Sequence, residues 1–357
     1  MKDWIEISIP NLKGNEYSYL KECIESNFVS SKGPFVNKFE EAVSQEIGIS
    51  IKNSVATSSG TTAIQLGLLS IGVKPNDLVI VPAYTFIATP NAVSHVGAKP
   101  WILDIEYEHL TIDAFKLRNE LEENTFKKNG FSFHKETNQR ITCIIPVYVF
   151  GCPPNIDALK EISKEFNIPL LLDSACGIGS KYKKQKLGQT DLPGIISFNG
   201  NKTITTGAGG IFFSTNKNNV EKVRHLSTTA KSSNKYDHDE IGFNYRMSNI
   251  QAALGLAQLE QLEKIINSKR IIHQNYLKNF TKSNKFNLII DPPWGESSHW
   301  LNVIILNNFG DKNLDDLIIQ LKNSKIRANY FWKPLHLQTP YKDSLKANLN
   351  LLNDLQN

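Results

Sequence analysis

No stretch of this 357-residue chain approaches the ~20 consecutive apolar residues a membrane-spanning helix needs, so no bilayer crossing is expected. The opening residues, Met1-Lys2-Asp3-Trp4-Ile5-Glu6, carry early acids and no apolar h-region, so no secretory leader is expected either. Cysteine is scarce. Cys23, Cys143, Cys152 and Cys176 lie far apart with no C-x-x-C pair, which excludes the usual zinc and disulfide frameworks and suits a reducing, cytoplasmic compartment. The eight histidines are equally dispersed, H-E-x-x-H is absent, and no metal is expected. Neither a Walker A pattern nor G-x-G-x-x-G occurs, which speaks against an ordinary triphosphate or dinucleotide site. A net charge of +5 without a dense basic block falls short of a nucleic-acid footprint, though it suits small anions such as phosphates.

What is present is an ordinary globular composition, 40% hydrophobic and 21% charged, on a chain long enough for about two domains. Val36, Phe39 and Val43 mark a helix face after a turn at Ser30, Ser31 and Gly33. From residue 54, strands alternate with helices. Ser54–Thr57 leads into a helix carrying Ile64, Leu68 and Ile71, then the strand Leu78–Pro82, a helix over 88–96 and the strand Lys99–Asp104. Ile141–Val147, a helix with Leu159, Ile162 and Phe166, and the strand Ile168–Asp173 continue the pattern. Such alternation predicts a parallel sheet of crossover units. Residues 124–140 form a polar insertion expected as an exposed hairpin or loop, and 228–240 a polar segment expected to be mobile. Ser248 and Gln251 form a capping box that opens a long helix with Ile250, Ala253, Leu254 and Ala257 on one stripe. Beyond about 265 the pattern loosens, which reads as a second, smaller domain.

Chemistry concentrates in three places. Lys202 stands alone among small residues, in Ser197-Phe198-Asn199-Gly200-Asn201-Lys202 and the glycines of Gly207-Ala208-Gly209-Gly210, between apolar strands. An isolated lysine there reads as an ordinary loop residue. A lysine that must shed its proton and form an imine needs such surroundings, because desolvation favours the neutral, nucleophilic amine. Ser59-Gly60-Thr61-Thr62 joins a strand to a helix, where backbone N–H groups and the positive helix end hold an anion such as phosphate. Asp173 ends an apolar run, where it either caps a turn or meets a buried cation such as a protonated pyridine nitrogen. Phe86 is placed either to stack on such a ring or to fill the core.

Together, Ser59-Gly60-Thr61, Thr85-Phe86-Ile87-Ala88-Thr89, Asp173-Ser174-Ala175, Ser197-Phe198 with Lys202, and Gly207-Ala208-Gly209-Gly210 resemble the DegT/DnrJ/EryC1/StrS sugar aminotransferases. Gly242-Phe243-Asn244-Tyr245-Arg246-Met247-Ser248 and Pro334-Leu335-His336 fit the same family, in the family's order over nearly the whole chain. The resemblance implies an α/β enzyme of the pyridoxal-phosphate fold type I. A large cofactor domain (1–250) with a mostly parallel central sheet flanked by helices would precede a connecting helix and a small C-terminal α/β domain (251–357). It further implies a homodimer with shared active sites. Lys202 would bond the cofactor and shuttle the proton, Asp173 would pair with the ring nitrogen, and Phe86 would stack on the ring. Gly60, Thr61 and Ser197 would hold the phosphate with Asn244 of the partner subunit, and His336 would lie near the sugar.

The chain departs from its relatives at Cys176, where a glutamine, histidine or glutamate often stands near the cofactor's 3′-oxygen, and at Cys152, which replaces a frequent histidine or glutamine. A short leucine-proline segment common in relatives is not found before Asn357. The 124–140 insertion, Asn199-Gly200-Asn201-Lys202 and Leu226-Ser227-Thr228-Thr229-Ala230-Lys231 resemble the legionaminic-acid and bacillosamine 4-aminotransferases. That implies L-glutamate as donor and a UDP-linked 4-keto-6-deoxy-N-acetylhexosamine as acceptor, giving a 4-amino sugar for surface glycans. A 3-keto or dTDP/GDP-linked acceptor and a non-catalytic sugar-binding relative remain alternatives. Lysine at 202 disfavours the related dehydratases, which carry histidine there.

Overall fold

The computed structural model describes residues 4–233, 235–280, 282, 285–306 and 314–350. Its strands are β1 (Ser54–Thr57), β2 (Leu78–Pro82), β3 (Lys99–Leu103), β4 (Thr125–Lys128), β5 (Phe131–His134), β6 (Arg140–Ile144) and β7 (Leu172–Asp173). Next come β8 (Lys181–Tyr182), β9 (Gln185–Lys186), β10 (Gly194–Ser197) and β11 (Gly210–Phe213), and later β12 (Phe286–Leu288), β13 (Gly295–Glu296) and β14 (Ile304–Leu306). The helices are α1 (Glu16–Glu25), α2 (Pro34–Ile47), α3 (Gly60–Ile71), α4 (Ala88–His95), α5 (Ala114–Asn124), α6 (Ile156–Phe166), α7 (Lys217–Ser227), α8 (Asn249–Leu259), α9 (Leu262–Phe280) and α10 (Leu314–Asn323).

β3, β2 and β6 run parallel, as do β7 and β10. Parallel bridges Ile144–Leu170 and Val147–Asp173 join the two groups, so the central order is β3-β2-β6-β7-β10-β11-β1. Every residue of β1, β2, β10 and β11 is buried, as expected of strands covered by helices on both faces. β11 is the antiparallel member of the mostly parallel sheet and pairs antiparallel with both β10 and β1. No helix intervenes between β10 and β11, and a direct return can only produce an antiparallel neighbour. The strand expected over 168–173 is regular only at its last two residues. Pro169 has no N–H to give the ladder and contributes only its carbonyl, to the Ile144 N–H. The 124–140 insertion is the antiparallel hairpin β4–β5, docked on β6 through Ser132–Ile141 and Phe133–Arg140.

Val36, Phe39 and Val43 are buried on α2, and Ile64 and Leu68 on α3. The capping box at Ser248 and Gln251 opens α8 as expected, but the helix stops at Leu259 and its buried stripe differs. Ala252, Ala253, Gly255 and Ala257 face inward while Ile250 stays exposed. The reason is proximity: a methyl added at Gly255 would lie 2.7 Å from the Phe39 ring of α2. Only small residues let the helices approach so closely. Near the chain's far end, Trp300, Val303, Leu335, Tyr341 and Leu349 enter the same buried cluster as Val79 and Val81 of β2. No helix among the described residues is long and apolar enough to cross a membrane.

Candidate active site

The carboxyl ends of β7 and β10 and the start of α3 converge on a cavity of about 320 Å³. Ligands gather at this end of open α/β sheets. Asp173 closes β7, only 4% exposed, beside Ile195 of β10. Its Oδ2 accepts from the Thr89 hydroxyl at 2.7 Å and its Oδ1 from the Ala175 N–H at 3.1 Å. Burial pushes this carboxyl above the usual aspartate range, while those two bonds and the charge of Lys202 pull it back. Thr89 is itself within hydrogen-bond distance, 3.0 Å, of the Thr85 hydroxyl in the bend that precedes α4.

Lys202 leaves the β10–β11 connection and turns back over the same cavity. Its Nζ donates to the Cys176 sulfur at 3.1 Å and lies 4.1 Å above the centre of the Trp300 ring. The Cys176 thiol is raised by burial, with Lys202 opposing, so it presents a neutral sulfur. Opposite stands the first turn of α3. Ser59 caps it by accepting from the Thr62 N–H, and the earliest N–H groups of a helix have no acceptor within it. Gly60 is required there: a methyl on it would lie 2.8 Å from Cβ of Ser197. Buried Glu40 of α2 ties β1 to α7 and to the residues before α8, accepting from the Ala56 N–H at 2.7 Å, from Arg246 at 2.5 Å and from Arg224 at 3.0 Å.

The cavity is lined by Gly60, Thr61, Phe86, Asp173, Cys176, Ser197 and Lys202, the residues the sequence singled out within one chain. Phe86 is 54% exposed at its rim, its ring 5.7 Å from that of Trp332. Asn244 lies outside the lining, exposed and bridged to Thr228. His336 sits in a short 3₁₀ turn beyond Trp332 and does not line the cavity. Sequence reasoning gave no role to Thr89, Asn199, Asn201, Trp300 and Trp332, which also line it. For Thr89 a signal existed, since a buried carboxylate needs a donor and Thr89 lies in the first turn of the helix that follows Phe86. For the two tryptophans no spacing relates them to Lys202.

A buried carboxylate and a lysine opening onto one cavity, with a helix start beside them, suit the pyridoxal phosphate of a fold-type-I enzyme. The residues fit that cofactor, because the desolvated Asp173 calls for a positive partner and the glycine-floored turn for an anion. The chain belongs to the DegT/DnrJ/EryC1/StrS aminotransferase family, which it matches over residues 10–354, and is a pyridoxal-phosphate-dependent nucleotide-sugar aminotransferase. It is 31% identical to GDP-perosamine synthase of Caulobacter vibrioides over 341 residues, 94% of this chain and 86% of that one. To the UDP-4-amino-4,6-dideoxy-N-acetyl-beta-L-altrosamine transaminase of Campylobacter jejuni it is 30% identical over 344 residues, 96% and 87% of the two chains. The crystal structure of a DegT DnrJ EryC1 StrS aminotransferase from Brucella abortus superposes with a TM-score of 0.86 at 26% identity, covering 96% of this chain and 87% of that one.

Proposed function

We propose that this aminotransferase moves the amino group of L-glutamate to C4 of a UDP-linked 4-keto-6-deoxy-N-acetylhexosamine, leaving a 4-amino sugar. The observation that carries the reading is the opening of Lys202 and Asp173 onto one cavity. Pyridoxal phosphate, when bound, supplies an electrophilic carbon and an electron sink. Asp173 keeps the ring nitrogen protonated by placing a negative charge where water is excluded. Lys202 would hold the cofactor covalently, and its Nζ, when free, would hold and move a proton. The Gly60 and Thr61 N–H groups, the Ser197 hydroxyl and Asn244 of the partner subunit anchor the phosphate. Phe86 would cover the ring, Cys176 lies beside Lys202, and His336 would lie near the sugar.

The name of the Campylobacter relative supports a UDP-linked 4-amino sugar. A GDP-linked acceptor is the second reading, favoured by GDP-perosamine synthases at 31% and 35% identity. Offering UDP-, GDP- and dTDP-linked 3- and 4-keto sugars with glutamate, and locating the new amine by NMR, decides among them. Turnover of the UDP-linked 4-keto sugar is expected, and preference for any other sinks the assignment. Borohydride reduction of the loaded enzyme should fix the cofactor to Lys202, and Lys202→Ala should abolish that label and nearly all turnover. A label persisting in the variant would move the attachment elsewhere.

A further inference from the structure

We infer that Trp300 is a positioning residue for Lys202: its ring face holds the ammonium whenever the amine is free, and its indole N–H fixes the loop that carries it. This rests on Lys202 being the cofactor lysine. Nζ stands 4.1 Å above the Trp300 ring centre, within the range of a cation–π contact. The same indole donates from Nε1 to the Asn201 carbonyl at 2.6 Å, one residue before Lys202. One side chain therefore grips both the charge and the backbone beneath it.

Trp300 is itself held still. It is 4% exposed, its N–H donates to the Phe150 carbonyl at 3.1 Å, and its own carbonyl accepts from Lys269 at 3.0 Å. Its ring stacks on Phe150 at 6.2 Å. Among the described residues Lys202 forms no ion pair with a carboxylate, and its one hydrogen-bond acceptor is the Cys176 sulfur. A carboxylate would lock the ammonium in one direction. A ring face attracts the charge while leaving N–H bonds free to deliver a proton, as a lysine that alternates between a covalent bond and proton transfer requires.

The test uses the full-length chain freed of pyridoxal phosphate and grown with tryptophan or with progressively fluorinated tryptophans. Fluorine drains the ring face of electron density with little change in size. Among the described residues Lys202 is the lone lysine lying over a tryptophan, so labelling of every tryptophan still reads out there. Trace acylation by acetic anhydride at neutral pH, followed by peptide mass spectrometry, measures the fraction of neutral amine, with exposed Lys217 as internal reference. Lys202 labelling should rise stepwise, ~2- to 30-fold across the series, while Lys217 stays constant. Trp300→Phe, which keeps an aromatic face but loses the N–H bond to Asn201, should fall between wild type and Trp300→Leu, and Trp300→Leu should match or exceed the most fluorinated sample. In the loaded enzyme Trp300→Leu should lower kcat and spare the sugar KM. A flat fluorination series overturns the inference. Failure of the borohydride label at Lys202 overturns the cofactor reading instead, because acylation is measured without cofactor.

Discussion

Asp173 carries a burial cost that Thr89, the Ala175 N–H and Lys202 offset only in part. Buried and raised above the usual aspartate range, it stays protonated in the folded, cofactor-free chain over a pH interval in which the unfolded chain has already released that proton. Its contribution to stability is fully present below the unfolded value of about 4 and is lost as pH rises through the folded one. Glu106, raised to about 7 chiefly by burial, acts with the same sign, so the Asp173 share is isolated by comparison with Asp173→Asn. Urea midpoints of the cofactor-free proteins between pH 4 and 8 should fall less steeply in the variant, and parallel curves would refute this. With cofactor the same change should reduce turnover by ~10²–10³-fold, the usual penalty for losing one preorganised electrostatic partner. Lys202 and Asp173 were legible in the sequence because each is a charge set among residues that do not welcome one. Trp300 was not, because an indole is at home in any core and its link to Lys202 spans too much chain to leave a pattern.

In the proposed reading the first turn of α3 and the end of β10 would form the anion seat together. Gly60→Ala would drive a methyl to 2.8 Å from Ser197 Cβ and 3.4 Å from its Cα, so either the turn or the strand must yield. The change is expected to cost about 1–3 kcal/mol, measured by denaturation, and to weaken pyridoxal phosphate binding in a spectral titration. Unaltered cofactor affinity would place the phosphate elsewhere. Elements of this kind were readable where apolar spacing was strict, as in α2 and α6, whose buried residues follow the helical period. α8 was legible in part: Ala253 and Ala257 of the expected stripe are buried, but Ile250 is exposed, because the close approach of α2 puts small residues such as Ala252 and Gly255 inward instead. Strand direction left no trace either: β10 and β11 are equally apolar, and only the missing crossover between them dictates their antiparallel pairing.

At the scale of the whole molecule, the proposed dimer makes two exposed features coherent. Asn244 lies on the surface away from its own chain's cavity, and apolar side chains such as Ile9 (71%), Phe28 (48%) and Ile241 (89%) face outward. If each site borrows Asn244 from the other copy, Lys202→Ala and Asn244→Ala chains should each be impaired alone. Unfolded and refolded together, they should regain activity, since the mixed dimer assembles one site with both groups intact. Sedimentation should give twice the chain mass. Failure of the mixture to recover, with dimers present, would make the sites independent.

Ninety-nine positions separate Asn201 from the tryptophan that anchors it. On a ribosome Lys202 is therefore made well before the tryptophan whose ring and N–H meet its loop, so this wall of the cavity is completed only when synthesis is long past the lysine.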